Sequence, residues 1–444
     1  MATAGARAVT LAVRAVFWVL AYVGVVVTPL VFAAVGAHDP DHGFLTNFSV
    51  ALGFVGLAMM GLEFALVARI KPVAAPFGQD ALLQFHRQIG YVGLAFVLTH
   101  FALSAKWHEL TFHKAIHAPA LVWFGMAALF GLLVLIASSI WRQQLRLSYE
   151  WWHAAHTVLA TFIIVAALGH VFFVHEYVSI LWKQILWGLM SAAFVALLLW
   201  VRVIKPRRLL RQPWTLESVG RDRGETTTLD LRPPDGLRFE FMPGQFAWFV
   251  FGRSPHAITQ HPFSFSSSAE REGLEIAVKA LGDFSSRIHE LEPGIPVYVD
   301  GPHGVFSIDE DEGPGFGFIA GGVGVTGLLS MLRTMADRDD LRPAVLVYAN
   351  GDWENVAFRD ELEQLDGRMP NLTVVHVLER PPDRWAGEIG YVTGELLARH
   401  LPPAYRRFQY FICGPGPMMD AAEQALLAID VPAERVHTER FDMV

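Results

Sequence analysis

Residues 153–170 read HAAHTVLATFIIVAALGH. The stretch is apolar enough to lie in a lipid bilayer, yet it carries His153, His156 and His170. Ionisable groups inside a membrane are costly and tend to mark function. The fold turns on whether this is a buried helix of a water-soluble protein or one span of a membrane domain that binds something.

The rest of the chain favours the membrane. Of its 444 residues, 53% are apolar and 18% charged, greasier than an ordinary soluble protein. Apolar stretches of membrane length recur at about 10–35, 46–69, 82–105, 119–141, 151–174 and 179–203. Six in a row are hard to bury in a soluble core. Residues 1–211 carry 15 basic and 7 acidic side chains, a charge of +8, while the remainder carries 20 and 36, a charge of −16. That split fits a basic membrane half followed by an acidic aqueous half. It offers no footprint for nucleic acid. The lone cysteine, Cys413, rules out internal disulfides and all-cysteine zinc or iron–sulfur sites. The basic start runs into an apolar stretch longer than a signal core, so a first span is expected, not a cleaved leader.

The connections sort by charge. Arg7 and Arg14, then Arg69 and Lys71, then Arg142 and Arg146, then the five basic residues of RVIKPRRLLRQ (202–212) fall on one side. The first connection has no Lys or Arg and the fifth has only Lys183. Lys106 and Lys114 in the third weaken the contrast slightly. The positive-inside bias then places both termini in the cytosol of a multi-pass cell-membrane protein.

The third span, FHRQIGYVGLAFVLTH (85–100), holds His86 and His100; the fifth holds His156 and His170. Both pairs are 14 residues apart, so each pair shares a helix face with about 21 Å between its members. Two axial imidazoles saturate haem iron for electron transfer. His86 and His156 lie at cytosolic helix ends and His100 and His170 toward the outer ends. The expectation is two stacked b haems, the inner on His86 and His156, the outer on His100 and His170. His153 has no counterpart on the third span and receives no ligand role. Arg87, Arg142 and Arg146 are candidates to neutralise the inner propionates, or serve as topology anchors. Glu63 in the second span is either a proton-handling group or a paired or snorkelling carboxylate.

His-Arg followed 14 residues later by His, then W-x-x-x-H followed by His, resembles the ferric reductase-like transmembrane domain shared by NADPH oxidases and ferric reductases. The resemblance covers about residues 45–205.

Beyond Pro213, short alternating runs such as TTTLDLR (226–232) and QFAWFVFG (245–252) read as strands of a small barrel. PGQF (243–246), HPFSFSS (261–267) and VKALGDFSSRI (278–288) resemble the flavin domain of the ferredoxin–NADP reductase superfamily. The resemblance implies FAD. Phe263 would pack on the isoalloxazine, Ser264 would hydrogen-bond near its reactive nitrogen, and His261, following into Pro262, would stand near the phosphates. Gly282, Ser285 and Ser286 would face the pyrophosphate. DEDEGPG (309–315) reads as a linker. FGFIAGGVGVTGLLSMLRTMAD (316–337) then reads as strand, glycine turn and helix. Its G-x-G-x-x-G is weak alone. The family's G-G-x-G-x-T matches at Gly321, Gly322, Gly324 and Thr326, with Gly327 where a Pro is usual. CGPGPMM (413–419) resembles the Cys-Gly-Pro signature, placing Cys413 beside the nicotinamide and Gly414, Pro415 and Met418 along the nucleotide. GPHG (301–304) matches a further family turn. Phe441 is the candidate aromatic to close the flavin face; a catalytic thiol at Cys413 lacks a base motif. YANGDWEN (348–355) lacks the usual Arg for a 2′-phosphate, for which Arg380 or Arg384 could substitute. The membrane half favours NADPH, and NADH stays open.

The expected architecture is a six-helix transmembrane bundle (1–211), an antiparallel β-barrel FAD domain (212–308) and a doubly wound α/β NAD(P)-binding domain (309–444). The expected function is transmembrane electron transfer from cytosolic NAD(P)H through FAD and two haems to a small-molecule acceptor outside, with Ser264, Cys413 and Phe441 at the hydride-transfer site. Ferric or cupric chelates are the first candidates as acceptor, with His108, His113 and His117 of the third connection as a loose capture patch. Reduction of O2 to superoxide is the second. A haem-only anchor feeding a protein partner is disfavoured, because this chain keeps the flavin and nucleotide motifs.

Overall fold

The computed structural model describes residues 4–35, 43–107, 120–174, 178–252, 254–255 and 260–440. It divides into two compact units, Ala6–Pro206 and Arg207–Val444.

The first unit is helical. Its long helices are α1 (Ala4–Ala34), α2 (Phe44–Leu66), α3 (Gln79–Trp107), α4 (Ala120–Ile140), α5 (Tyr149–Val174) and α6 (Leu181–Leu199). Among the described residues five stretches are long and apolar enough to cross a membrane: Leu11–Phe32, Phe44–Leu66, Val122–Ile140, Tyr149–Val174 and Leu181–Leu209. The expected third span forms a helix of 29 residues, outside that set among the described residues; its first turns hold Gln79, Asp80, Gln84, His86, Arg87 and Gln88. Phe130 is 69% exposed and Val158 71%, a loss of stability in water that a lipid environment removes. Helix α2 packs along α3, and α4 along α5. Phe54 and Leu57 of α2 meet Ile164 of α5 and Trp187 of α6, while Ala128 and Leu132 of α4 meet Ile163 and Ala166 of α5.

The second unit begins with an antiparallel sheet of order β4-β3-β6-β1-β2-β5. Its strands are β1 (Trp214–Asp222), β2 (Thr226–Arg232), β3 (Phe246–Phe251), β4 (His261–Ser264), β5 (Leu274–Lys279) and β6 (Pro296–His303). Period-two alternation drives Leu216, Leu229, Leu231 and Ile276 into one core with Trp214, Phe249 and Phe265. The sheet curls until Phe265, just after β4, bridges Ile276 of β5. The expected barrel is thus realised as a curled sheet, its edge strands linked by that bridge.

A parallel sheet follows, of order β10-β9-β8-β7-β11-β12. It comprises β7 (Phe316–Gly321), β8 (Ala344–Asp352), β9 (Leu372–Arg380), β10 (Glu388–Ile389), β11 (Gln409–Cys413) and β12 (Val436–Thr438). Both faces are covered, as the continuous apolar runs require: Phe316 and Phe318 point into one core, Ile319 into the other. Helices α7 (Val325–Asp337) and α8 (Gly416–Ala428) follow β7 and β11. The chain leaves β7 toward β8 and returns to β11 on the other side, so the switch point lies at the carboxyl ends of β7 and β11.

Arg333 of α7 fastens the two sheets together. It donates to the Ser266 carbonyl at 2.8 Å, to Glu275 at 2.6 Å, and to Glu361 at 2.6 and 2.7 Å. Ser330 donates to the Ser267 carbonyl at 2.7 Å, and the Ala269 amide to Thr334 at 2.9 Å. Truncating one partner of such a buried network strands the other charges. Arg333→Met is expected to cost about 3 kcal/mol, a fall of roughly 6–12 °C in the melting temperature of the aqueous unit. Differential scanning calorimetry checks it, and an unchanged transition would contradict the role.

Candidate functional site

The four span histidines come together in the expected pairs. The His86 and His156 ring centres are 6.3 Å apart with planes at 60°. Those of His100 and His170 are 6.4 Å apart at 69°. Metal–imidazole bonds of about 2.0–2.1 Å, with about 1.1 Å from nitrogen to ring centre, put two trans imidazoles about 6.3 Å apart. Each pair supplies only two nitrogens, and no group of three or more His, Cys, Asp or Glu suited to a metal occurs among the described residues. A metal here must bring its remaining donors with it. A porphyrin does so, with four in-plane nitrogens, so the residues fit a haem better than a bare ion.

On three of these rings Nδ1 is engaged, an arrangement that suits ligand imidazoles. His100 Nδ1 lies 2.8 Å from the Ser49 carbonyl, and Ser49 Oγ donates back to the His100 carbonyl at 2.9 Å. His156 Nδ1 is 3.4 Å from Ser139 Oγ. His86 Nδ1 is in contact with the Glu63 carboxylate, so Glu63 is a paired group. On these three the contacts engage Nδ1 and not Nε2. Glycines make room for the outer pair. A Cβ at Gly53 would come within 3.1 Å of His100 Nδ1, and one at Gly125 within 2.9 Å of His170 Nδ1. His153 instead stacks on Tyr149, 5.8 Å away. Arg142 sits 5.4 Å over Tyr149 and 5.7 Å over Trp152, and Trp152 lies 5.1 Å from the His156 ring. Arg87 is exposed on α3, and Arg146 closes the turn after α4 at φ 52°.

In the aqueous unit, β3 and β4 pair Phe246 with Ser264, Ala247 with Phe263 and Phe249 with His261. His261 stacks face to face on Phe284 at 3.8 Å and 8°. Phe284 lies in VKALGDFSSRI, and its place as a platform for His261 comes from a tertiary contact that the motif does not encode. Phe263 is half-buried beside Phe249, 6.2 Å away. Ser264 Oγ is buried without a hydrogen-bond partner among the described residues. Such an atom is costly to leave unmet, and a flavin ring nitrogen or carbonyl would satisfy it. In the following loop Ser285 Oγ accepts from the Leu281 and Gly282 amides at 3.0 and 2.9 Å. Those two donors are spoken for by the chain itself, while Ser286 is exposed.

At the switch point the two glycine-bearing turns touch. A Cβ at Gly324 would strike the Cys413 carbonyl at 2.3 Å, and one at Gly321 the Met418 methyl at 2.6 Å and Pro415 at 2.8 Å. Gly322 takes φ +54°, which favours glycine. Thr326 is buried and donates to the Val323 carbonyl at 2.5 Å, so its hydroxyl ties the turn. Gly327 lies 3.6 Å, measured from a would-be Cβ, from the Gly244 carbonyl, which seats α7 against the PGQF turn. Cys413 is 1% exposed; burial, then the Glu439 charge, pushes its thiol well above the ordinary range. A thiolate nucleophile is disfavoured there. Glu439, buried near Gly304 and Cys413, is a site residue the motifs did not flag. Arg380 faces Asp352 at 3.4 Å, and Arg384 takes φ 64°. Phe441, His108, His113 and His117 lie outside the described residues.

Comparison with known families matches three segments in order. Residues 52–167 match the ferric reductase like transmembrane component, 216–307 an FAD-binding domain, and 318–424 the oxidoreductase NAD-binding domain. The chain has a ferric reductase/NADPH oxidase-type architecture. It is 30% identical over 168 residues to NADH-cytochrome b5 reductase 1 of Debaryomyces hansenii, a match spanning 37% of this chain and 59% of that protein. It is 33% identical over 162 residues to the plasma membrane-associated coenzyme Q6 reductase PGA3 of Saccharomyces cerevisiae, spanning 36% and 52%. A crystal structure of the Amycolatopsis cytochrome P450 reductase GcoB aligns with TM-score 0.46 at 24% identity, covering 52% of this chain and 70% of that one.

Because Cys413 is the chain's sole cysteine, thiol labelling reads it cleanly. A raised thiol pKa keeps it neutral at pH 8, and burial blocks access. A disulfide reagent is expected to leave the native protein unmodified at pH 8 and to label one thiol after denaturation; rapid native labelling would contradict this burial.

Proposed function

We propose that this chain carries electrons across a membrane from a cytosolic nicotinamide nucleotide to an acceptor on the outer face, through FAD and two b haems. The observation that carries the reading is the pair of imidazole sets with ring centres 6.3 and 6.4 Å apart on helices α3 and α5. The reading includes α3 as the sixth span, polar at one end because that end binds, and both termini on the cytosolic side. When bound, the nucleotide supplies a hydride, the flavin splits it into single electrons, and haem iron accepts them one at a time.

The residues of the chain then have definite tasks. Gly321 and Gly324 let the two turns close on each other, and Gly322, with open space beside it, leaves room for a pyrophosphate. Buried Cys413 gives the nicotinamide a neutral, shaped wall. Ser264 Oγ meets the flavin ring, and Phe263 and the His261–Phe284 stack hold its flank. His86, His156, His100 and His170 would hold iron, and on the first three of these the Nδ1 contacts fix ring orientation. Arg142 lies on the side where inner propionates need a counter-charge.

NADH is the proposed donor, against the NADPH that the membrane half favours. Asp352 ends β8, where a carboxylate suits a ribose hydroxyl and repels a 2′-phosphate. Hydrogen bonds from Asn355, then Arg380, hold its carboxyl below the usual carboxylate range, so it is charged at neutral pH. The likeness to an enzyme named for NADH and cytochrome b5 supports the same donor. Asp352→Ala is expected to raise the NADPH:NADH ratio of kcat/KM about tenfold, equivalent to about 1.4 kcal/mol; an unchanged ratio would remove Asp352 from donor selection.

Ferric or cupric chelate is the proposed acceptor. Purified protein with FAD is expected to show prompt anaerobic haem reduction by NADH, then rapid reoxidation on adding Fe(III) chelate. A chelate left untouched while O2 reoxidises the haem and yields superoxide would overturn the acceptor. Haem that stays oxidised until another protein is supplied would overturn the enzyme reading.

A further inference from the structure

The two imidazole pairs are nearly equal in separation, yet their Nδ1 partners differ in kind. His100 Nδ1 faces a neutral acceptor, the Ser49 carbonyl, at 2.8 Å. That carbonyl is locally fixed: Ser49 is 2% exposed, and its hydroxyl lies 2.9 Å from Ser104 Oγ. His156 Nδ1 faces a neutral hydroxyl, Ser139 Oγ, at 3.4 Å. His86 Nδ1 instead meets a carboxylate, Glu63, whose side chain is 12% exposed. Phe85, preceding His86, packs edge-on against Tyr22 of α1 at 5.2 Å. Of the three Nδ1 partners, one is therefore an acid, and a mostly buried one, where a charge acts more strongly than in water.

A carboxylate that accepts the Nδ1 hydrogen draws the proton toward itself and leaves the ring more electron-rich, a stronger donor to whatever Nε2 binds. A stronger donor, with a fixed negative charge behind it, stabilises ferric over ferrous iron and lowers the reduction potential. A backbone carbonyl does the same much less. We infer that Glu63 is a positioning residue that holds the inner haem at a lower potential than the outer, so that electrons run outward downhill. The inference rests on the two-haem reading above. The step it governs is a bare electron transfer: the inner iron goes from ferrous to ferric, the outer from ferric to ferrous. The Nδ1 proton stays between His86 and Glu63, and no bond is made or broken.

The test is a spectroelectrochemical titration of the full-length protein with both haems bound, alongside electron paramagnetic resonance of the ferric state. Wild type is expected to titrate as two one-electron components. Glu63→Gln keeps an acceptor at Nδ1 but removes the charge. It is expected to favour reduction of the lower-potential component at least tenfold, about 59 mV for a one-electron couple, and to shift one low-spin ferric signal. The upper component should stay, and Glu63→Asp should restore most of the lower value. Should Glu63→Gln lose the inner haem, the double variant His100→Leu/His170→Leu decides: its remaining haem is expected to titrate at the lower wild-type midpoint. Two bound haems with midpoints unmoved by Glu63→Gln would overturn the inference alone, as would a remaining haem titrating at the upper value. Wild-type protein without b-type absorption would overturn both the inference and the two-haem reading.

Discussion

Imidazole rings held about 6.4 Å apart at two levels of a helical unit are the constraint on which the rest depends. The two pairs share that separation on the same two helices, with ring planes at 60° and 69°. It matches the separation that two imidazoles would take on either side of one metal atom. Holding it in a membrane demands rigid helices, close approach at small residues and a fixed ring orientation. Gly53 and Gly125 provide the approach; Ser49, Ser139 and Glu63 fix the orientation. The helix that carries His86 and His100 also carries Gln79, Asp80, Gln84, Arg87 and Gln88 in its first turns.

The aqueous unit answers a different demand, that a hydride donor and its acceptor share one enclosed place. The chain brings the ends of β7 and β11 together so closely that a single added carbon at Gly324 would collide with the Cys413 carbonyl. Arg333 and its carboxylates lock the curled sheet to the parallel one, so the flavin-side residues of β4 and the nucleotide-side turns keep one relation. Ser264, with its unmet buried hydroxyl, marks the point at which this rigid frame expects a partner.

Much of this was legible in the sequence because the relevant patterns are local. Fourteen-residue spacing on a helix fixes a shared face without further knowledge, and the glycine turn followed by an apolar helix specifies its own geometry. What stayed hidden depends on contacts far apart in the chain. Glu63 is twenty-three residues from His86, and only the packing of α2 on α3 brings them together. Ser49 acts partly through its backbone carbonyl, which no side-chain pattern announces. Phe284 and Glu439 acquire meaning only from the rings and turns they meet. Thr326, part of the G-G-x-G-x-T match, donates its hydroxyl to the Val323 carbonyl, a contact that the motif does not announce.

The count of haem per chain bears most directly on the central claim. Purified protein from a haem-replete host, assayed as the pyridine haemochrome against protein concentration, should contain two b haems, low-spin in the ferric state. His86→Leu and His100→Leu should each leave one. No haem, or a haem content indifferent to both substitutions, would contradict the account.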